Sequence, residues 1–220
     1  MYSTTDGGKT WRHLPLRLAL DSRVSSFFFV DNAKGWMTVV NHADAERYAL
    51  GNSSRILASS DGGRSWMEQA NFPDEVDIGC IKFLNRSEGL AVGARVIDGK
   101  PAYNELFVVM TNDGGKKWHN ISEKVKRAIR NDSGVASDYA HNLEWSFPSR
   151  VLLLTRAGRI ISSSDQGLTW KCLVQFKDQR PNGSISSTGY FRLLLDPHGS
   201  ICVTAGSEGE EGYWGPCYVI

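Results

Sequence analysis

One octapeptide, repeated four times, constrains this chain more than any other feature. It reads TTDGGKTW at 4–11, SSDGGRSW at 59–66, TNDGGKKW at 111–118 and SSDQGLTW at 163–170. The aspartates Asp6, Asp61, Asp113 and Asp165 follow one another at intervals of 55, 52 and 52 residues. A single copy could be a nucleophile loop or a phosphate cradle. Four copies at near-constant spacing are the mark of a repeat architecture. The later copies follow the apolar, strand-like stretches RILA, ELFVVM and RIIS, and two more such stretches lie upstream of each. These are VSSFFFVD with GWMTVVN, IGCIKFLN with GLAVGARV, and NLEWSF with RVLLLTRA. A short outer segment such as SWMEQA or TWKCLV comes after. The unit is strand a, strand b, strand c, octapeptide turn, strand d: a four-stranded antiparallel blade.

Blades of this kind stack radially in a β-propeller, which buries both faces of each sheet and protects its edges. The last segment, GYFRLLL to CYVI, supplies strands a and b and the start of c; the first, MYSTTDGGKTWRHL, supplies c, turn and d. The expectation is therefore an all-β four-bladed propeller, one domain over 1–220. Its blades lie near 24–70, 78–120, 143–176 and 190–220 plus 1–14, the last closed by strands from both termini. A fragment of a larger ring is the alternative. One short helix is expected near 121–131, where Ile121, Val125, Ala128 and Ile129 form an apolar stripe suited to docking on the propeller.

The pattern Ser/Thr-X-Asp-X-Gly-X-Thr/Ser-Trp resembles the Asp-box, or BNR repeat, of sialidases, sortilin-type receptors, xyloglucan-cleaving hydrolases and photosystem II assembly-factor-type propellers. The resemblance covers the whole chain. The third copy departs from it, with Lys117 in place of Thr or Ser. KGWMTVVN and EGLAVGAR are similar to the assembly-factor-like group in particular. The resemblance implies a structural role for Asp6, Trp11, Asp61, Trp66, Asp113, Trp118, Asp165 and Trp170. It also leans toward an exported protein, periplasmic or secreted, although the chain opens MYSTTDGG with no basic or apolar leader. Elementary chemistry agrees with the structural role. The carboxylate can accept turn N–H groups, glycine permits positive φ, and tryptophan buries a large apolar face between blades.

Composition narrows the function classes. With 25 basic and 24 acidic residues the net charge is +1, which gives no electrostatic attraction for nucleic acid or anionic membrane. No apolar run approaches the roughly 20 residues of a membrane span. The histidines at 13, 42, 119, 141 and 198 show no ligand spacing, so neither metal nor cofactor is expected. The cysteines at 80, 172, 202 and 217 are too far apart for a zinc knuckle, and Cys202–Cys217 is the pairing the repeat places on adjacent strands. Sequons begin at Asn52, Asn85, Asn120, Asn131 and Asn182, but loops are rich in Asn and Ser in any case. The early Arg-Ile-Pro motif of sialidases is missing, as are the nucleophile elbow, phosphate loop and dinucleotide fingerprint. Asp138 and Glu144 are the acids nearest to a glycosidase pair, and solvated or capping roles suit them better. No catalytic residue is expected.

Propeller topology puts the a–b and c–d turns on one face and the b–c and d–a loops on the other. The first face carries the repeated octapeptides and short turns. The long, dissimilar segments fall on the second: 41–54, 95–104 and 206–216 as b–c loops, with 119–142 and 177–189 as d–a connections. Irregular insertions on a rigid scaffold are where binding usually resides. Tyr and Trp dominate interface hot spots, together with Arg. The expected partner-binding residues are Tyr48, Tyr103, Arg127, Arg130, Tyr139, Glu210, Glu211, Tyr213 and Trp214. The reading is a non-enzymatic propeller that binds a protein, either as an assembly factor or as an immunity protein against a secreted toxin or effector enzyme. The alternative is a carbohydrate-binding or sialidase-like hydrolysing propeller with a glycan partner.

Overall fold

A computed structural model describes residues 1–41, 53–72, 75–97, 100–129, 138–146, 149–175, 189–195, 200–207 and 214–219. The chain is nearly all β. A two-stranded hairpin, β1 (Tyr2–Ser3) with β2 (Arg12–His13), comes first. Three four-stranded antiparallel sheets follow. The first is β3 (Ser22–Phe29), β4 (Gly35–Asn41), β5 (Ser53–Ser59) and β6 (Met67–Phe72). The second is β7 (Val76–Phe83), β8 (Gly89–Ile97), β9 (Lys100–Thr111) and β10 (His119–Asn120), after which comes the helix α1 (Ser122–Lys126). The third is β11 (Ala140–Ser146), β12 (Arg150–Thr155), β13 (Arg159–Ser163) and β14 (Lys171–Gln175). A three-stranded sheet ends the series: β15 (Gly189–Leu195), β16 (Ile201–Ser207) and β17 (Trp214–Val219).

The strands alternate which neighbour they face, and this alternation builds the core. Trp36, Ile56 and Ala58 of the first full sheet pack against Val76, Ile78, Ala91 and Phe107 of the second. Leu90, Val92 and Val108 turn the other way, onto Leu143, Val151 and Ile161 of the third. Leu152, Leu154 and Ile160 meet Leu193, Ile201 and Val203 of the last. Burying one such side chain contributes roughly 1.5–3 kcal/mol, so the second and third full sheets depend on both neighbours. The middle of the second strand in each full sheet is mostly apolar because both of its faces are covered; Trp36 to Val40, Thr38 among them, are all fully buried. Trp36 stacks flat on Phe83, with ring centroids 3.4 Å apart, and its Nε1 donates to Gln69 Oε1 and to the Gly114 carbonyl of the next sheet's turn.

The octapeptides close the hairpin between the third and fourth strands of each full sheet. At 59–66, Ser59 Oγ donates to Asp61 Oδ1 and accepts from the Gly63 N–H. The N–H groups of Arg64 and Ser65 donate to Asp61 Oδ1, and Ser65 Oγ donates to Oδ2 at 2.6 Å. Trp66 Nε1 closes the turn on the Gly63 carbonyl. Gly62 and Gly63 have φ of 73° and 82°, left-handed values that glycine adopts without strain. The same set recurs around Asp6 and Asp165. Hydrogen bonds from the neighbouring hydroxyl hold the carboxyls of Asp6, Asp61 and Asp165 down to about 2, against an ordinary 3.8. Asp113 is a natural control. Lys117 offers it a backbone N–H but no hydroxyl, and its carboxyl is lowered by that N–H first and by Thr111 after it.

Each turn donates to the carbonyl of the short connection between its own sheet's first two strands: Gly62 to Ala33, Gly114 to Ser87, Gln166 to Ser149. The two kinds of turn thus share one face, as topology requires. The helix lies at the opposite end of the strands, shorter than expected at 122–126, and it docks. Val125 is fully buried, and Ile121, Ala128 and Ile129 pack on the core between the second and third sheets.

Three expectations need correction. The two termini do not complete one blade among the described residues: β1 pairs with β2, and β17 pairs with β16 through Cys202↔Val219 and Val203↔Tyr218. The third-strand position that Tyr2–Ser3 would have taken is already filled. The segment after the N-terminal hairpin stays on the first full sheet, where Leu16 and Leu18, like Trp66, pack against Met37, Val39 and Leu57. First strands pack β3 on β7, β7 on β11 and β11 on β15, while no comparable packing returns from β15 to β3 among the described residues. Second, Trp11 does not pack on a core as Trp66, Trp118 and Trp170 do; it is 61% exposed. Third, 95–104 is not a loop. β8 runs to Ile97 and β9 starts at Lys100, with Arg95 opposite Glu105 and Val96 opposite Asn104. Cys202 is disulfide-bonded, as the expected pairing requires of it; the side chain of Cys217, the partner expected from the repeat, lies outside what is described. Among the described residues no helix is long and apolar enough to cross a membrane, and no cluster of three or more metal-ligating side chains occurs.

Candidate functional site

Beside the helix, on the face away from the octapeptide turns, lies an open groove of about 470 Å³. One wall is the β8–β9 hairpin, which presents Arg95, Glu105 and Phe107 from one side of the sheet, as alternation dictates. The other wall is the segment from Asn120 to Lys126. The groove exists because the fourth strand of this sheet stops early. β10 pairs only His119 with Met110 and Asn120 with Val109. Asn120 Oδ1 then accepts the Ser122 N–H, while Ser122 Oγ accepts the Val108 N–H that a longer strand would have bonded. The chain coils into α1 and leaves the outer part of β9 to be walled by helix side chains.

Lys126 fastens the helix to the sheet. Its ammonium donates to Glu105 of β9 and to Glu123 at 3.0 Å, and its side chain is only 16% exposed. Both carboxylates of the groove are therefore already matched by one cation. Arg95 and Lys124 are exposed and have no ion-pair partner among the described residues. Phe107, almost fully buried, and the half-buried Ile121 form an apolar floor. A second polar cluster adjoins the first through the parallel bridge Glu105↔Asp138. Asp138 receives Arg159 Nη1 at 2.9 Å and the Ala157 N–H at 3.0 Å, deep in the structure. Beside it, Arg156 Nη1 donates to the Tyr139 hydroxyl and its guanidinium lies 5.8 Å from the ring centre.

Of the residues expected to bind a partner, Arg127 is exposed at the end of α1 and Tyr139 is half-buried under Arg156. Both are on the expected face. Tyr103 falls in β9 and Trp214 opens β17, and their side chains lie outside what is described. Tyr48, Arg130, Glu210, Glu211 and Tyr213 lie outside the described residues. The acids weighed for glycosidic chemistry do not converge as a free pair: Asp138 is bound to Arg159, and Glu144 receives Lys82 Nζ at 3.1 Å. The sequence reading missed Arg95, Glu105 and Phe107. Glu105 and Phe107 lie in ELFVVM, read as a strand, but Asp98-Gly99, a strong two-residue hairpin signal, could have set that strand directly against GLAVGARV and brought Arg95 opposite Glu105.

No protein-family model and no curated protein matches the chain. Among solved structures it is similar to YCF48 bound to D1 peptide, at 17% identity and a TM-score of 0.51, over 93% of this chain and 60% of that one. It is similar also to YCF48 from Cyanidioschyzon merolae, at 22% identity and 0.54, over 94% of this chain and 59% of that one. A glycosyl hydrolase from Bacteroides ovatus aligns at 11% identity and 0.45, over 87% of this chain and 60% of that one. The chain spans about 60% of the length of the structures it matches. At such identities the likeness to the YCF48 structures speaks to architecture, and with the sheet order it gives the chain a β-propeller fold.

Proposed function

We propose that the chain is a non-catalytic propeller, built on Asp-box turns, that binds a segment of a partner protein on the face carrying α1. The observation that carries this reading is the groove between α1 and the β8–β9 hairpin, open to solvent, with an apolar floor and two exposed cations at its mouth that have no ion-pair partner among the described residues. The opposite face carries the three turns of the full sheets, whose aspartate carboxylates accept hydrogen bonds from their own turns, which leaves little for a ligand to engage. That a propeller of the same fold has been captured with a peptide favours an assembly-type role over inhibition of a toxin. Capture with the immobilised protein, comparing Arg95→Glu with Arg64→Glu on the turn face, tests it. A partner lost with the first and kept with the second is expected. Retrieval of none, or glycosidase activity abolished by a single carboxylate substitution, would overturn it.

A further inference from the structure

The groove's charges specify what kind of segment it takes. Among the described residues five ionic side chains line it: Arg95, Lys124 and Lys126 against Glu105 and Glu123. Lys126 spans both glutamates and is largely covered, so a ligand would have to break these pairs at a cost. What remains is Arg95 on the sheet wall and Lys124 on the helix wall, both exposed. Arg127 adds a third exposed cation at the end of α1. Between the walls lie Phe107 and Ile121, with no charged group of their own.

From this we infer that the groove recognises an acidic segment of a partner protein, with one apolar side chain seated on Phe107 and Ile121 and a neighbouring carboxylate held by Arg95 and Lys124. Charge complementarity sets the sign. Arginine's planar fork matches a carboxylate in a bidentate geometry, and the lysine supplies a second point charge. A volume of about 470 Å³ is in the range of sites that enclose a small group, enough for a few side chains of an extended segment and too little for a folded domain. The chain's net charge of +1 provides no broad positive field, so nucleic acid is not the anion the molecule is suited to. This inference rests on the protein-binding reading above and adds the chemistry of the segment.

The test selects peptides from a random displayed library on the immobilised protein, then measures synthetic copies by fluorescence anisotropy at low and high salt. The proteins compared are wild type, Arg95→Glu/Lys124→Glu, and Lys9→Glu as a distant charge reversal; melting curves check that all are folded. The expected consensus pairs Asp or Glu with an adjacent apolar residue. Affinity should fall at least about tenfold in the double variant, fall with salt, and stay unchanged in Lys9→Glu. Peptides that bind the double variant as well as wild type, or that carry no acidic residue, would overturn the inference while leaving the protein-binding reading intact. No enriched peptide at all would overturn both.

Discussion

Asp138 is the residue whose substitution separates a structural carboxylate from a catalytic one. Its Oδ2 accepts Arg159 Nη1 at 2.9 Å and its Oδ1 accepts the Ala157 N–H; the two side chains are 6% and 2% exposed. Arg159 Nε has no partner among the described residues, and Asp138 is the anion there on which that buried guanidinium depends. Asp138→Ala would leave an unpaired buried cation, at a cost of about 3–5 kcal/mol. At roughly 2–4 °C per kcal/mol for a domain of this size, the melting temperature should fall by about 6–20 °C. Asp138→Asn keeps an acceptor oxygen and loses the charge, so its cost should be smaller, about 1.5–3 kcal/mol. The double variant Asp138→Leu/Arg159→Met removes both charges and should recover most of the loss. Urea titration and calorimetry measure all three. An Asp138→Ala protein within about 1 kcal/mol of wild type would refute the reasoning, as would a double variant no better than the single one. If Asp138→Ala left stability unchanged and abolished a hydrolytic activity, the carboxylate would have to be reassigned as a working acid.

Trp66→Ala removes a half-buried ring packed edge-on to Phe29 and should cost about 3 kcal/mol in a urea melt, while Trp11→Ala, at a mostly exposed ring, should stay within about 1 kcal/mol; equal losses would contradict the packing described. The carboxyls of Asp6, Asp61 and Asp165 are lowered in the folded protein, so the stability they contribute is fully present above 3.8 and is lost as pH falls through about 2. Their carboxyl resonances should accordingly still report the ionised form at pH 3, with Asp113 titrating apart from them. Alkylation of the denatured, unreduced protein should modify two thiols and, after reduction, four; reduction should lower stability by about 3 kcal/mol, as expected for a loop of about 15 residues.

The repeat was legible because it is written in local chemistry. A Ser or Thr two residues before an Asp, a Gly two residues after it and a Trp five after it fix one turn, and the turn fixes the pairing of the strands on either side. The same locality explains the helix: Ile121, Val125, Ala128 and Ile129 share a face in any helical segment, and the core between two sheets covers that face. What local pattern could not convey was the position of the ends. CYVI and MYS each read as a third strand, and only the packing of Leu16 and Leu18 on Met37 and Val39 shows that the segment after the N-terminal hairpin keeps to the first full sheet. The exposure of Trp11 follows from that placement and not from its octapeptide, which is like the others. The groove was half legible. Lys124 and Arg127 were visible as cations off the apolar stripe, but Arg95 stood in a segment (95–104) whose polarity suggested a loop, and Glu105 opened the strand-like ELFVVM with nothing in the local pattern to set it opposite Arg95. Their roles depend on register, and on a fourth strand that yields to a helix after two residues.

Mapping amide chemical-shift changes while a selected acidic peptide is titrated into the labelled protein tests the central claim most directly. The account predicts changes at Arg95, at Glu105 to Phe107 and from Asn120 to Lys126, with none at the turns of Asp61 and Asp165. Changes centred on those turns, or spread over the molecule with the groove silent, would contradict it.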